Sequence, residues 1–165
     1  MIKTFRMFRE KVNMNRKYVC IVYDDETQQN LRNWCQENGF DITKSYSGND
    51  NPPEDFEFHT TIFYSINQSN IENEVLRLTQ GEALSSRFKL LGDNSDIPVL
   101  VVSSPDISEI RDNFAGRGLM DQWPDYIPHI SLSYVRKDYD FSGIKLPDFR
   151  MKFGYLKIED INEKI

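Results

Sequence analysis

The sequence contains two histidines, and each of them begins a tripeptide that ends in a hydroxyl residue. The first tripeptide runs from His59 to Thr61, and the second runs from His129 to Ser131. In an extended strand, residues two positions apart project from the same face, so each imidazole would lie beside a hydroxyl group. Such a pair suits proton transfer at a phosphodiester, because the pKa of imidazole lies near neutrality and hydroxyl groups can donate to phosphate oxygens.

Both histidine segments have the composition of β-strands. The first, EFHTTIFYS, is rich in β-branched and aromatic residues, and its alternation would place Phe63 on the same face as His59. The second, YIPHISLSY, alternates cleanly between apolar residues and the face that carries His129. A lone strand histidine is usually a half-buried group bonded to its neighbours, whereas a recurring pattern favours a shared catalytic site. Proton transfer between two imidazoles requires no metal or cofactor, and the sequence leaves open which histidine is the base.

Composition and charge narrow the class of protein. The 165 residues, 39% hydrophobic and 28% charged, fit one globular domain that spans 1–165. The longest apolar runs, Tyr18–Tyr23 and Ile97–Val102, are too short to cross a bilayer, so we expect no membrane partner. A net charge of −6 argues against binding to duplex nucleic acid, although a few local donors could still hold a small phosphorylated ligand.

Residues 1–16 are predicted to form an N-terminal arm or short helix, because apolar residues recur there at helical spacing (Ile2, Phe5, Phe8 and Val12). This segment lacks the continuous apolar stretch of a secretory signal, so we expect a cytoplasmic protein. Cys20 and Cys35 lack the spacing of a zinc site and are expected to be reduced and buried. The oligomeric state cannot be inferred from any of these patterns.

Apolar periodicity and capping residues outline the elements around the two motifs. A strand over 18–23 precedes a helix that Asp24 can cap and Gly39 ends. After a polar connection and the first histidine strand, a second helix is predicted over 70–81, with an apolar face of Ile71, Val75 and Leu78. The second half offers strands over 83–91 and 97–103, a helix from Ser104 toward Leu119, the second histidine strand and a last strand over 149–158.

The order of strand, helix and histidine-bearing strand therefore occurs twice along the chain. We expect an α+β fold of two similar, internally duplicated lobes with two sheets, in which the two motifs face each other across a central cleft. Trp34 and Trp123 are interpreted as core residues. Several basic residues are interpreted as facing solvent, although they could also contact phosphate: Lys89, Arg111, Arg117 and Lys157.

The paired motifs and the element order resemble the two-histidine (2H) phosphoesterase superfamily, whose members carry two H-x-[S/T] motifs on strands of a bilobal, duplicated α+β fold. Pro128 before the second histidine and Leu132 after its motif also fit this resemblance. Within the superfamily, the run KYVCIVYDDETQQNLRNWCQENGF and the phrase FHTTIFYS resemble the phage anti-CBASS phosphodiesterases. Those enzymes degrade the cyclic oligonucleotide messengers of a bacterial antiviral pathway.

This resemblance implies a metal-independent phosphodiesterase that cleaves 3′–5′ linkages of cyclic di- or trinucleotides in the cytoplasm of an infected bacterium. The four motif residues would be catalytic: His59, Thr61, His129 and Ser131. Tyr18 fits the position of an aromatic residue that stacks on a nucleobase, with an ordinary tyrosine at the edge of the core as the alternative. A base-reading carboxylate would be Glu159, although the alignment also allows Lys157 at that position.

Other functions are compatible with the same motifs. One is the 2′,3′-cyclic phosphodiesterase or tRNA-processing activity of the superfamily, which the acidic balance disfavours because a long RNA is better held by a basic groove. A second is a catalytically idle protein that binds and sequesters cyclic nucleotides. A third is a structural or interaction protein whose two histidines are incidental.

Overall fold

The computed structural model describes residues 14–161, which fold into a seven-stranded antiparallel sheet with two α-helices. The strands are β1 (Asn15–Tyr23), β2 (His59–Ser69), β3 (Glu74–Arg77), β4 (Glu82–Leu91), β5 (Ile97–Ser103), β6 (His129–Ser131) and β7 (Met151–Asp160). The helices are α1 (Asp25–Glu37) and α2 (Pro105–Gly116), and a 3₁₀ turn over Pro53–Asp55 precedes β2. The prediction of an α+β fold is confirmed.

The strands follow the order β2-β1-β7-β4-β5-β6, and β3 also pairs with β7. One edge of β7 pairs with β1, while the other edge pairs with β4 at only two positions and then with β3. This narrow β4–β7 pairing separates a His59 half (β2-β1-β7-β3) from a His129 half (β4-β5-β6). The histidine strands β2 and β6 end this order, yet they contact each other, so the sheet curves back on itself.

Helix α1 contacts β7 of the His59 half and also packs against β4 of the His129 half. Asp24 caps its first turn by accepting from Thr27 N at 2.9 Å, because a carboxylate satisfies an otherwise unpaired amide there. Trp34 is buried and stacks on Phe88 of β4 with ring centroids 5.8 Å apart. Cys35 is also buried, and both cysteines are free thiols, as the sequence predicts.

Helix α2 packs against β2 and β4, so it contacts both halves. Ser104 caps it by accepting from Ile107 N at 3.1 Å, and Pro105 occupies its first turn, where the missing amide hydrogen costs nothing. Ile110 and Phe114 face the apolar side of β7. Neither helix of the described residues is long and apolar enough to cross a membrane.

Two predictions for individual segments are wrong. The segment 70–81 contains the short strand β3 instead of a helix, and Val75 is 64% exposed. An apolar helical spacing does not decide the structure here, because the segment forms a ladder with β7 that supplies its backbone hydrogen bonds. Trp123, in the loop before β6, is 54% exposed and contacts the ring of Tyr64 in β2, so it is not a core residue.

The predicted N-terminal arm over 1–16 falls almost entirely outside the residues that the structure describes. Strand β1 begins at Asn15, so the last two residues of that range belong to the sheet. The remaining predicted elements lie within a few residues of their expected bounds, and the two histidine segments are both extended. Strand β6, however, has only three residues.

Candidate functional site

The two histidine motifs meet where β2 contacts β6. Register with β1 places His59 and Thr61 on one face of β2, and register with β5 places His129 and Ser131 on one face of β6. All four side chains are half-buried. The positive charge of a protonated His59 lowers the pKa of His129, so the two imidazoles lie close enough to interact electrostatically.

Each imidazole is oriented by the carbonyl group two residues earlier in the chain. His59 Nδ1 lies 3.3 Å from Glu57 O, and His129 Nδ1 lies 2.8 Å from Ile127 O. A carbonyl oxygen can only accept a hydrogen bond, so Nδ1 carries the hydrogen in each ring. The neutral rings therefore both have their lone pair at Nε2, which is the atom available for proton transfer.

The surroundings lower the pKa of both imidazoles. Burial is the largest cause at His59, opposed by the carbonyl and carboxylate of Glu57 and assisted by the Lys157 ammonium. Burial is also the largest cause at His129, opposed by Ile127 O and assisted by the charge of His59. Because a proton on one ring disfavours a proton on the other, this interaction favours the state in which the pair holds a single proton. That is the state that an acid and base pair needs.

Each motif hydroxyl lies beside a tyrosine hydroxyl. Tyr18 Oη is 3.0 Å from Thr61 Oγ1, and the Ser131 hydroxyl interacts with that of Tyr134. Burial raises the pKa of both tyrosines, so each phenol stays protonated at neutral pH and remains a hydrogen-bond donor. Tyr18 therefore contacts the motif through its hydroxyl group. Stacking on a nucleobase would use only its ring.

Strand β7 contributes charged groups to the same face of the sheet as His59. Its register with β1 places Lys157 opposite Cys20, in the row that contains Thr61, and Glu159 opposite Tyr18. Glu159 is exposed, whereas Lys157 is half-buried and lies 3.8 Å from the Glu57 carboxylate. Lys157 and Glu159, the two candidates for the base-reading position, thus lie on the same face of β7, two residues apart.

Gln28 of α1 fixes the chain immediately before His59. Its buried side-chain amide donates to Phe58 O at 2.7 Å and to Tyr23 O at 3.1 Å, and it accepts from Phe58 N at 2.8 Å. These bonds tie the end of β1 to the start of β2. The backbone N–H and C=O groups of Phe58, the residue before His59, are therefore both hydrogen-bonded to Gln28.

Arg111 of α2 supports an irregularity in β2 between Thr61 and Phe63. The pairing of β1 with β2 shifts register there, which leaves Ile62 without a partner on β1. Arg111 Nη1 donates to Ile62 O at 2.6 Å and to Asp121 Oδ2 at 2.7 Å. Its guanidinium carbon also lies 4.4 Å from the centroid of the Phe63 ring.

This bulge changes which aromatic residue shares the face of Thr61. Simple alternation predicts Phe63, but the shifted register pairs Tyr64 with Tyr18 instead. Tyr126 from the loop before β6 donates to Thr61 O at 2.7 Å, which joins the two histidine segments directly. The prediction for Phe63 is therefore wrong, because a strand with one extra residue reverses its alternation beyond that point.

The basic residues considered for phosphate contacts have different surroundings. Arg111 is committed to the internal contacts described above, and Arg117 lies over the Phe114 ring at 5.1 Å. Lys89 pairs with Val99 of β5, which in turn pairs with Ser131, so Lys89 lies on the same face as that motif residue. Lys157 is the basic residue that influences the pKa of His59.

Several residues of the site were missed by the sequence analysis. Tyr134 lies three residues after Ser131 and Glu57 lies two before His59, so proximity along the chain was the available signal for both. Gln28 and Arg111 approach the site only through tertiary packing, for which the sequence offers no local pattern. Among residues 14–161, no group of three or more histidine, cysteine, aspartate or glutamate side chains is placed to hold a metal ion.

Residues 15–165 match the protein family described as Anti-CBASS protein Acb1. The matched range contains every strand and helix described above and both histidine motifs. No curated protein matches the sequence. On the family match, the chain belongs to the Acb1 family of anti-CBASS proteins.

Proposed function

We propose that this protein is a phosphodiesterase that counters CBASS by hydrolysing the 3′–5′ linkages of cyclic di- or trinucleotides. The observation that supports it most is the matched orientation of His59 and His129, each with Nδ1 on a carbonyl and Nε2 available, in a pair whose charges interact. The proposal includes the two-histidine phosphoesterase fold, with its duplicated lobes, and action in the cytoplasm of an infected bacterium.

In the first step, one neutral imidazole removes the proton of the ribose 2′-hydroxyl through Nε2. The 2′-oxygen then bonds to phosphorus while the bond from phosphorus to the 5′-oxygen breaks. The second imidazole, protonated at the start, gives its proton to that leaving oxygen. The product is a linear oligonucleotide with a 2′,3′-cyclic phosphate, and no metal is needed because the two rings perform both proton transfers.

In the second step, the two imidazoles exchange roles. The ring that gained a proton donates it to the 2′-oxygen as water, deprotonated by the other ring, attacks phosphorus and opens the cyclic phosphate. Each histidine then has its original protonation state, so the cycle is complete. Either histidine can begin as the base, because neither Nδ1 partner is a carboxylate.

Thr61 and Ser131 are proposed to donate hydrogen bonds to the non-bridging phosphate oxygens as negative charge increases on them. Tyr18 would support this role by donating to Thr61, because a hydroxyl that accepts one bond keeps its own hydrogen for the phosphate. Tyr134 would do the same for Ser131. Glu159 is proposed as the base-reading carboxylate, since it lies beside Tyr18 on the face of the site.

The proposal is tested by incubating the purified protein with a panel of cyclic oligonucleotides in the presence of a chelator and identifying the products by mass spectrometry. We expect linear products that carry a cyclic or open terminal phosphate. Intact ligand that stays bound would support a sequestering protein instead. Cleavage of RNA 2′,3′-cyclic phosphate ends, but not of cyclic oligonucleotides, would support the other activity of the superfamily.

A further inference from the structure

Two exposed aromatic rings lie at the ends of aromatic contacts that begin at the two motif hydroxyls. Tyr46 is 87% exposed and Trp123 is 54% exposed. Leaving such large rings in water forgoes the free energy that their burial would supply. Each of the two rings contacts the site through other aromatic side chains.

On the His59 side, three rings follow one another outward from Thr61. Tyr18, whose hydroxyl contacts Thr61, has its ring centroid 6.2 Å from that of Tyr64, and Tyr64 lies 5.7 Å from Trp123. The Arg16 guanidinium lies over Tyr64 at 5.5 Å. Tyr64 is thus covered by its neighbours, and Trp123 is the ring that faces solvent.

On the His129 side, two rings follow one another outward from Ser131. Tyr134 has its centroid 5.4 Å from that of Phe56 and 5.7 Å from that of Tyr46. Tyr46 meets Tyr134 nearly at right angles, with an interplanar angle of 86°. This edge-on contact leaves the faces of the Tyr46 ring open for another planar group.

The backbone of the loop that carries each ring is hydrogen-bonded before any ligand binds. The Trp123 loop is fixed to β2 by Gln122 N donating to Tyr64 O at 3.0 Å. The Tyr46 turn is closed by Ser45 N donating to Asn49 O at 2.8 Å. Ordered loops lose less conformational entropy on binding, so stacking on them yields more net affinity.

We propose that Trp123 and Tyr46 are two nucleobase-stacking positions, one on each side of the histidine pair. The inference rests on the proposed function and specifies its substrate: a cyclic oligonucleotide that places one base on each ring while a phosphodiester lies between the imidazoles. Because the protein has a net charge of −6, long-range electrostatics oppose binding of a polyanion. Base stacking, which is insensitive to that charge, supplies the affinity instead.

Steady-state kinetics with a cyclic dipurine dinucleotide test this arrangement. We expect Trp123→Ala and Tyr46→Ala each to raise KM about fivefold to a hundredfold, with kcat within about twofold, because the stacking energy is the same in ground and transition states. Trp123→Phe and Tyr46→Phe should recover most of the lost affinity, since each restores a planar ring. Unchanged KM in both alanine variants, or losses confined to kcat, would overturn the proposal.

Leu76→Ala is the matched control for removal of an exposed apolar side chain. Leu76 is 44% exposed and pairs with Leu156, so it lies on the α2 side of the sheet and away from the histidines. Its substitution should leave KM unchanged. A cyclic mononucleotide, which carries a single base, should lose affinity in only one of the two alanine variants.

Tryptophan fluorescence separates this inference from the proposed function. The chain has two tryptophans, and Trp34 is only 9% exposed, so solvent-exposed emission comes from Trp123. In a His59→Ala/His129→Ala protein, intact cyclic dinucleotide should quench this emission, and Trp123→Phe should abolish the response. Quenching without cleavage by the native protein would reject the enzyme and keep the stacking site, whereas cleavage without quenching would reject the stacking site alone.

Discussion

The His59 half presents its motif on a strand of 11 residues, whereas the His129 half uses a strand of only three. The short strand is supported by bonds beyond its ends: Leu132 N donates to Pro98 O and Val102 N donates to Pro128 O, both at 3.0 Å. In both halves the imidazole is oriented by a carbonyl two residues back. Strand length is therefore secondary, and the local backbone geometry around the histidine is what the two halves share.

The halves differ in their electrostatics. His59 is influenced by the Glu57 carboxylate and the Lys157 ammonium, whereas the charge that influences His129 is that of His59 itself. Tyr155 also donates to Glu57 Oε2 at 3.2 Å, which holds this carboxylate near β7. The two imidazoles thus share an orientation but differ in their charged neighbours. Substitutions can separate the effect of the orientation from the effect of those charges.

The largest expected effect comes from removing either imidazole. His59→Ala and His129→Ala should each reduce the rate of cyclic dinucleotide cleavage on the order of 10²- to 10⁴-fold, because in the proposed mechanism each ring performs a proton transfer in both steps. The check is single-turnover kinetics, with circular dichroism to establish that both variants are folded. A large loss in one variant and near-normal turnover in the other would mean that the halves are not equivalent partners.

Arg111 supports β2 and also lies over the ring of Tyr126 in the loop before β6, 3.8 Å from its centroid. Arg111→Met leaves the Asp121 carboxylate, whose side chain is only 6% exposed, without its partner, and it should lower the free energy of unfolding by about 2–4 kcal/mol. Urea denaturation measures this change. Arg117→Met, at an exposed arginine immediately after the same helix, is the matched control and should change stability by less than about 0.5 kcal/mol.

A second substitution tests whether the buried charge causes that loss. Asp121→Asn in the Arg111→Met background removes the unpaired carboxylate, so part of the lost stability should return. If the double variant were as unstable as the sum of the single variants, the loss would come from packing against the aromatic rings instead.

The tyrosine partners of the motif hydroxyls should have a smaller effect. Tyr18→Phe removes a defined 3.0 Å contact with Thr61, and a typical hydrogen bond of about 1 kcal/mol corresponds to roughly a fivefold loss in kcat. Tyr134→Phe removes the corresponding interaction at Ser131 and should cost no more. Equal kcat in both variants and in the native protein would show that the hydroxyls need no such support.

The smallest expected effect is a shift in the pH profile of kcat/KM, which should distinguish His59 from His129. Since burial lowers both imidazole pKa values, the maximum of kcat/KM should lie below the ordinary imidazole value near 6.5. Glu57→Gln removes a carboxylate that raises the pKa of His59, so one limb of the profile should move to still lower pH. A profile centred above 6.5, or one unchanged by Glu57→Gln, would contradict this description.

Stability should follow the same pKa values with a definite sign. As pH falls below about 6.5, the histidines of the unfolded chain take up protons while those of the folded protein resist them, so the free energy of unfolding decreases. The decrease ends once pH has passed the lowered pKa values of the folded state. Replacing both histidines with glutamine should remove this contribution, as urea denaturation at a series of pH values would show.

The sequence predicts well the features that depend on local chemistry. Asp24 and Ser104 cap the helices as expected, and β5 has the predicted bounds, because capping groups and alternating apolar residues act over a few positions. The position of both histidines on strands follows from the same alternation. What the structure adds there is the carbonyl that orients each ring.

Features that depend on distant partners could not be predicted. Val75 has helical apolar spacing around it but joins β7, about eighty residues later, and no local pattern reports such a partner. The register shift in β2 similarly depends on Arg111 from α2, so alternation alone chooses Phe63 where the fold places Tyr64. The sequence predicts Trp123 as a core residue, but the side chain is 54% exposed because apolarity by itself does not specify burial.

The position of β7 has a consequence for how the protein becomes active during synthesis. This last strand of the described chain pairs with β1, β3 and β4, so it joins the two halves. A nascent chain that lacks residues 151–160 cannot complete either the His59 half or its junction with the His129 half. Because such long-range pairings form late, we expect the two imidazoles to meet only once residues 151–160 can pair with the rest of the sheet. A chain without β7 would therefore carry both histidines but not the complete site around them.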